Sequence, residues 1–202
     1  VSELLSIANG KTSGTITLND KTVALSGDAS DLKTIFDENI TKHTGAVTVT
    51  DGAYNVSELL SIANGKTSGT ITLNDKTVAL SGDASDLKTI FDENITKHTG
   101  AVTVTDGAYN VSELLSIANG KTSGTITLDD NTVALSGDAT DLTTIFSETF
   151  AATHNGGVTI TDGEYNLSEL KSVNAGTRGT ITLSDRTVAL SGDATDLALA
   201  LA

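Results

Sequence analysis

The chain has 202 residues, 38% of them hydrophobic, yet only four Phe, three Tyr and no Trp, so any core must be aliphatic and thin. A formal net charge of −14 and a pI near 4.3 argue against nucleic acid and anionic membrane surfaces as partners, because both repel such a chain. The absence of Cys and Met removes disulfide, thiol and sulfur-oxidation chemistry, which fits an extracellular bacterial protein.

Residues 1–55 and 56–110 are the same letter for letter, a third copy fills 111–166 with one residue more, and a partial fourth runs over 167–202. Tandem identity of this kind marks one supersecondary unit stacked on its neighbours, since a lone unit cannot bury its own apolar face. One repeat array over 1–202 is therefore expected. No apolar run approaches about 18 residues, so no membrane insertion is expected. No signal peptide or initiator Met is visible, and the chain starts and stops inside a repeat, which reads as an excerpt of something longer.

In chain order the first element is a helix, seen most fully in the second copy. Asn55 and Glu58 have the spacing of a capping box, Val56, Leu59, Leu60 and Ala63 form one stripe, and Gly65 stands as the residue just past the end. Next comes the alternating strand Thr15-Ile16-Thr17-Leu18, a turn at Asn19-Asp20 and a second strand Thr22-Val23-Ala24-Leu25. These two can fold back as a hairpin, with Ile16, Leu18, Val23 and Leu25 on one face, or turn a corner. The hairpin is the expectation. Asp28-Ala29-Ser30-Asp31 then opens a helix with Leu32, Ile35, Phe36 and Ile40 on one stripe, and the chain returns through His43-Thr44-Gly45 to a strand Ala46–Thr50. The repeat is β-α-β-β-α, in two loosely similar halves of about 22 and about 33 residues. Strands joined through helices should lie parallel, with the helices on one face, which gives an α/β tandem-repeat solenoid.

Each recurring polar group has a chemical reading and a structural one. Gly10-Lys11-Thr12 and its copies resemble the end of a phosphate-binding loop, but they follow a helix instead of opening one, so a helix C-cap is expected. His43, His98 and His154 lack neighbours at metal-ligand spacing, and a place near a helix C-terminus, where the dipole favours an imidazolium, is expected instead. Asp20, Asp28, Asp31 and Asp51 raise calcium, but no nonapeptide or twelve-residue calcium loop is present, and turn and cap duty explains each acid. Thr15, Thr17, Thr48 and Thr50, with copies up to Thr180 and Thr182, form ranks that an ice- or glycan-binding face could use, or a solvated sheet face. Asn39 and Asn55 match the glycosylation sequon, with Asn55 already assigned to a cap, and Tyr54 is expected to pack on the following helix. In the fourth copy Lys171 stands where Leu5, Leu60 and Leu115 were, as a terminal repeat with a more polar outer face requires.

The segments Val47-Thr48-Val49-Thr50-Asp51, Gly14-Thr15-Ile16-Thr17-Leu18-Asn19-Asp20 and Thr22-Val23-Ala24-Leu25-Ser26-Gly27-Asp28 make the unit resemble the α/β repeats of very long secreted or surface proteins of Gram-negative bacteria and cyanobacteria. These include repeat-in-toxin adhesins and surface-layer-like proteins. The resemblance implies an exported stalk, spacer or self-assembling lattice segment at the cell surface, partnered by neighbouring repeats and possible further copies of itself. No catalytic residue, cofactor or metal site is expected, calcium being the one ion considered. The rival reading is a binding module using the Thr-rich face.

Overall fold

The structure, a computed structural model, describes residues 1–201. The chain runs α1 (Ser2–Gly10), β1 (Leu25–Gly27), α2 (Ala29–Asp37), β2 (Val47–Val49), α3 (Val56–Gly65), β3 (Ile71–Leu73), β4 (Leu80–Gly82), α4 (Ala84–Asp92), β5 (Val102–Val104) and α5 (Val111–Gly120). It continues through β6 (Ile126–Leu128), β7 (Leu135–Gly137), α6 (Ala139–Phe146), β8 (Val158–Ile160), α7 (Leu167–Gly176), β9 (Ile181–Leu183) and α8 (Ala194–Leu201). Helices start every 27 or 28 residues, from Ser2 and Ala29 to Leu167 and Ala194. The repeat therefore divides into two half-repeats of nearly equal length. Its turn punctuation had pointed to unequal halves because the two share a helix period but few letters.

The strands form three small sheets, β1-β2-β3, β4-β5-β6 and β7-β8-β9, and every strand pair in them is parallel. Leu25 faces Val47 and Val47 faces Ile71, so partners in the ladder lie 22 and 24 residues apart along the chain. Parallel pairing requires a crossover of about a dozen residues or more, and one helix per half-repeat supplies it. Isolated bridges such as Ile71 to Ile95 and His43 to Lys66 tie the remaining length of each half-repeat to the next.

The expected hairpin does not form. β3 pairs with β2, and β4 pairs with β5, so the first closes one sheet and the second opens the next. A two-residue hairpin of the favoured type needs positive φ at both central residues. No described residue other than glycine adopts it. At the turn, Asp75 instead accepts hydrogen bonds from the Thr77 N–H at 2.8 Å and the Thr77 hydroxyl at 2.7 Å, an Asx turn that bends the chain onward without folding it back.

The helices behave largely as their periodicity requires. In α3 the buried side chains are Val56, Leu59, Ile62 and Ala63, with Leu60 half-buried, and the helix packs against both α2 and α4. In α2 they are Ala29, Leu32, Ile35 and Phe36; the helix stops at Asp37, so Ile40 lies past its end and bridges to Ile16. Full burial of one such Leu or Ile contributes about 1.5–3 kcal/mol, so these stripes supply most of the apolar drive. Gly65 is the last residue of α3, not the left-handed residue beyond it: Lys66 follows in extended conformation, and a Cβ at position 65 would stand 2.2 Å from Cδ1 of Phe36. Glycine is needed there for the ring. Gly69, at φ +81°, is the position where left-handed backbone is required.

Lys171 is not a sign of a polar outer face. It reaches Asp196 at the start of α8 and forms an ion pair there. In the preceding repeat Leu115 and Asp141 line one surface hollow, so the Leu position borders the same carboxylate throughout. Leu114, one residue earlier, is 1% exposed and faces the core. We expect Leu114→Lys to cost about 3 kcal/mol or more in urea unfolding, because an ammonium is buried unpaired. Leu115→Lys, beside Asp141, should cost less than about 1 kcal/mol. Equal losses would show that the helix face has been assigned wrongly.

Candidate functional site

The recurring polar side chains converge on the seams between half-repeats. Asn55 caps α3 as its sequence spacing requires: its side-chain oxygen accepts from the Glu58 N–H at 3.1 Å, and Glu58 accepts from the Asn55 N–H at 2.9 Å. Asn110 and Asn166 do the same for α5 and α7. The other helices are capped differently. Asp28 holds the N-cap position of α2 but makes no side-chain cap bond. The Ala29 N–H donates instead to Asp51 of the following half-repeat at 3.1 Å, while the Thr50 hydroxyl donates to Asp28 at 3.0 Å. Asp106 serves α4 and Asp162 serves α6 in the same way. In α8, which has no following half-repeat in this chain, Asp193 accepts the Asp196 N–H locally at 2.8 Å.

Tyr54 is buried, and its hydroxyl donates to the Asp75 carbonyl at 2.5 Å. Burial, reinforced by Asp75 and Asp51, pushes its phenol up to about 12. Tyr109 repeats this arrangement on Asp130, and Tyr165 on Asp185. The tyrosine thus fastens one half-repeat to the turn of the next.

The Gly-Lys-Thr triplet does end a helix, with the Lys66 N–H donating to Ala63 at 3.1 Å. Its side chain does something sequence alone did not disclose: Lys66 is 4% exposed and donates its ammonium to the Gly45 carbonyl of the preceding half-repeat. Burial lowers its pKa, with Glu93 opposing. Lys121 makes the same bond to Gly100, and in the last repeat Thr177 takes over, its hydroxyl donating to Gly156 at 3.1 Å.

The histidines lie beside this lysine seam. The His43 N–H donates to the carbonyl of Gly65 at the end of α3, so it is indeed near a helix C-terminus. The dipole does not hold an imidazolium there, because the ring is buried against Phe36, centroids 6.1 Å apart, and burial followed by Lys66 lowers its pKa. In the second repeat burial and Lys121 bring His98 down to about 4. Among the described residues no group of three or more His, Cys, Asp or Glu side chains stands close enough to hold a metal ion. No described helix is long and apolar enough to cross a membrane.

The outward positions of each sheet form a short hydroxyl ladder, Ser26–Thr48–Thr72, Ser81–Thr103–Thr127 and Ser136–Thr159–Thr182. The companion threonines of the Thr-x-Thr pairs are engaged elsewhere: Thr50 donates to Asp28, and Thr15 accepts from the Asn39 amide at 2.9 Å. The ladders are therefore one residue wide and confined to separate sheets. No protein-family model matches this chain, and neither a curated protein nor a solved structure does.

Two outcomes follow from this geometry. Asp106→Ala removes the acceptor for the first N–H of α4 and should cost about 1 kcal/mol in urea unfolding, whereas Asp106→Asn, which keeps a side-chain oxygen, should recover most of the loss. Because Asp20, Asp28 and Asp51 are occupied with hydroxyl and amide donors, thermal melting in millimolar calcium and in excess chelator at matched ionic strength should give the same midpoint. A rise specific to calcium and absent with magnesium would assign these acids to a metal.

Proposed function

We propose that this chain is a non-catalytic structural segment of an extracellular or cell-surface protein, a stalk, spacer or self-assembling fibre or lattice component built as a tandem-repeat solenoid. The carrying observation is that its recurrent side-chain bonds join one half-repeat to the next: Asp51 to Ala29, Tyr54 to Asp75 and Lys66 to Gly45 all span 21 or 22 residues. A chain that uses its tyrosines, helix-capping acids and buried lysines in this way is organised for propagation, with neighbouring repeats of the parent chain as its partners. The resemblance to repeats of long exported bacterial proteins and the charge of −14 support the same reading. The in-register Ser/Thr ladders favour a second reading, a module whose sheet face binds glycan, ice or another surface.

Stability that resides in nearest-neighbour interfaces grows with the number of units. Chains of one, two, three and four repeats, melted by circular dichroism, should show midpoints that rise steeply at first and then level off. A single repeat as stable as four would remove the basis of the proposal.

A further inference from the structure

Three imidazoles are enclosed in this fold, His43 and His154 at 1% exposure and His98 at none, and neither ring nitrogen of any of them has a hydrogen-bond partner. This is unusual company for a group that titrates near neutrality. The surroundings of His98 are Phe91 from its own half-repeat, with ring centroids 6.1 Å apart, Lys121 from the following one, and Asp75 with the Val78 carbonyl from the preceding one. His43 meets Phe36, Lys66, Asp20 and Val23 in the same places, and His154 meets Phe146, Asp130 and Val133, with Thr177 where the lysine stood. The aspartates attract a proton, but the bonds their carboxylates make are to Thr22, Thr77 and Thr132, in their own turns. A proton arriving at the ring therefore finds no acceptor in place, an apolar ring on one side and, in two of the three sites, a buried ammonium.

The histidines also mark the seam itself. The His43 N–H donates to Gly65, and its carbonyl accepts from Thr67 at 3.0 Å, so the same residue that cannot be charged holds two half-repeats together by its backbone. His98 does this with Gly120 and Thr122, and the His154 carbonyl accepts from Arg178. We propose that His43, His98 and His154 form an acid-release device: the imidazoles can take up protons only when adjoining half-repeats part, so mild acid opens the array at these three seams.

The sign follows from linkage. An exposed imidazole titrates near 6.5 and the enclosed His98 near 4, so between these values the open form binds a proton that the closed form does not. Stability is complete above that window and falls as pH drops through it. His43 and His154 shift in the same direction. The aspartates facing them, Asp20, Asp75 and Asp130, are held below the usual carboxylate value of 3.8 by their threonine bonds, so their own loss begins lower. Acid also reduces the net charge from −14, which relieves repulsion and works against opening. A fall in stability within the window is thus opposite to what overall charge produces.

The test is urea unfolding of the whole chain at pH 7.5, 6.5, 5.5 and 4.5. The unfolding constant should rise with falling pH, by up to about tenfold per pH unit for each histidine that opens. In the triple variant His43→Leu, His98→Leu, His154→Leu that dependence should flatten above pH 5. A variant that folds yet keeps the original slope overturns the proposal. Should the variant fail to fold, the imidazole carbon-bound proton resonances of the unaltered chain decide. They should stay at their neutral positions at pH 5.5 while the chain remains folded, and titration near 6.5 in the folded state would overturn the proposal equally.

Discussion

Parallel pairing at a separation of about one half-repeat is the constraint on which the rest of this structure depends. A parallel strand cannot pair with the segment that directly follows it, so the backbone groups of Val47–Val49 find partners only at Leu25–Gly27 on one side and Ile71–Leu73 on the other. Once that separation is set, the helices follow. Each is the crossover that returns the chain to the next rung, and their starts 27 or 28 residues apart keep successive rungs aligned although the letters of the two half-repeats differ. Side chains inherit the same spacing, which is why Asp51 meets α2, Tyr54 meets the turn at Asp75 and Lys66 meets Gly45.

With so few aromatic residues, each interface is narrow, and the seams use polar groups where a larger protein would use area. An aliphatic side chain on the helix stripe contributes about 1.5–3 kcal/mol, whereas a neutral hydrogen bond contributes about 1 kcal/mol and one to a charged group up to about 3 kcal/mol. Bonds such as Lys66 to Gly45 are thus comparable with a whole buried leucine. They also discriminate. Leucines tolerate a sliding helix, but a buried ammonium with one carbonyl to reach does not, so the lysine specifies the stacking register as well as strengthening it. Thr177 makes the corresponding bond with a shorter side chain and no charge, so the carbonyl at this place, not the cation, is the group that must be satisfied.

What could be read in the sequence is what is local. The capping box of Asn55 and Glu58, the helix stripes and the alternating strands involve neighbours within one or two turns, and all of them stand in the structure. The hairpin, by contrast, was a local answer to a non-local question: Asn19-Asp20 is compatible with a tight turn, but the pairing partners of Ile71–Leu73 lie in the half-repeat before it. Asp28 illustrates the same limit, since an acid at an N-cap position is naturally assigned to its own helix, and nothing nearby in sequence shows that Asp51 does that work from 22 residues away. The enclosure of Lys66 and His43 was equally hidden, because each is buried by the adjoining half-repeat and not by its own. Gly65 was legible as a helix end but for the wrong reason, the ring of Phe36 being remote in sequence and close in space.

The later copies show which of these features the fold can vary. The extra residue of the third copy falls between two bridges: Ile95 and His98 are separated by three positions, Phe150 and His154 by four, yet both pairs keep their partners one half-repeat away. The insertion bulges between rungs and leaves the ladder in register, so β8 still meets β7 and β9 as β5 meets β4 and β6. The replacement of Leu115 by Lys171 is absorbed similarly, because that position borders a carboxylate at the opening of the next helix and lies outside the buried stripe. Variation is accommodated between rungs and along the rims of the helices. It is not found at the ladder positions Leu80, Val102 and Ile126, whose counterparts in the next sheet are Leu135, Val158 and Ile181, all aliphatic side chains on the inner face. A chain whose register survives an insertion in one repeat is one in which each seam is specified separately, as nearest-neighbour stacking requires.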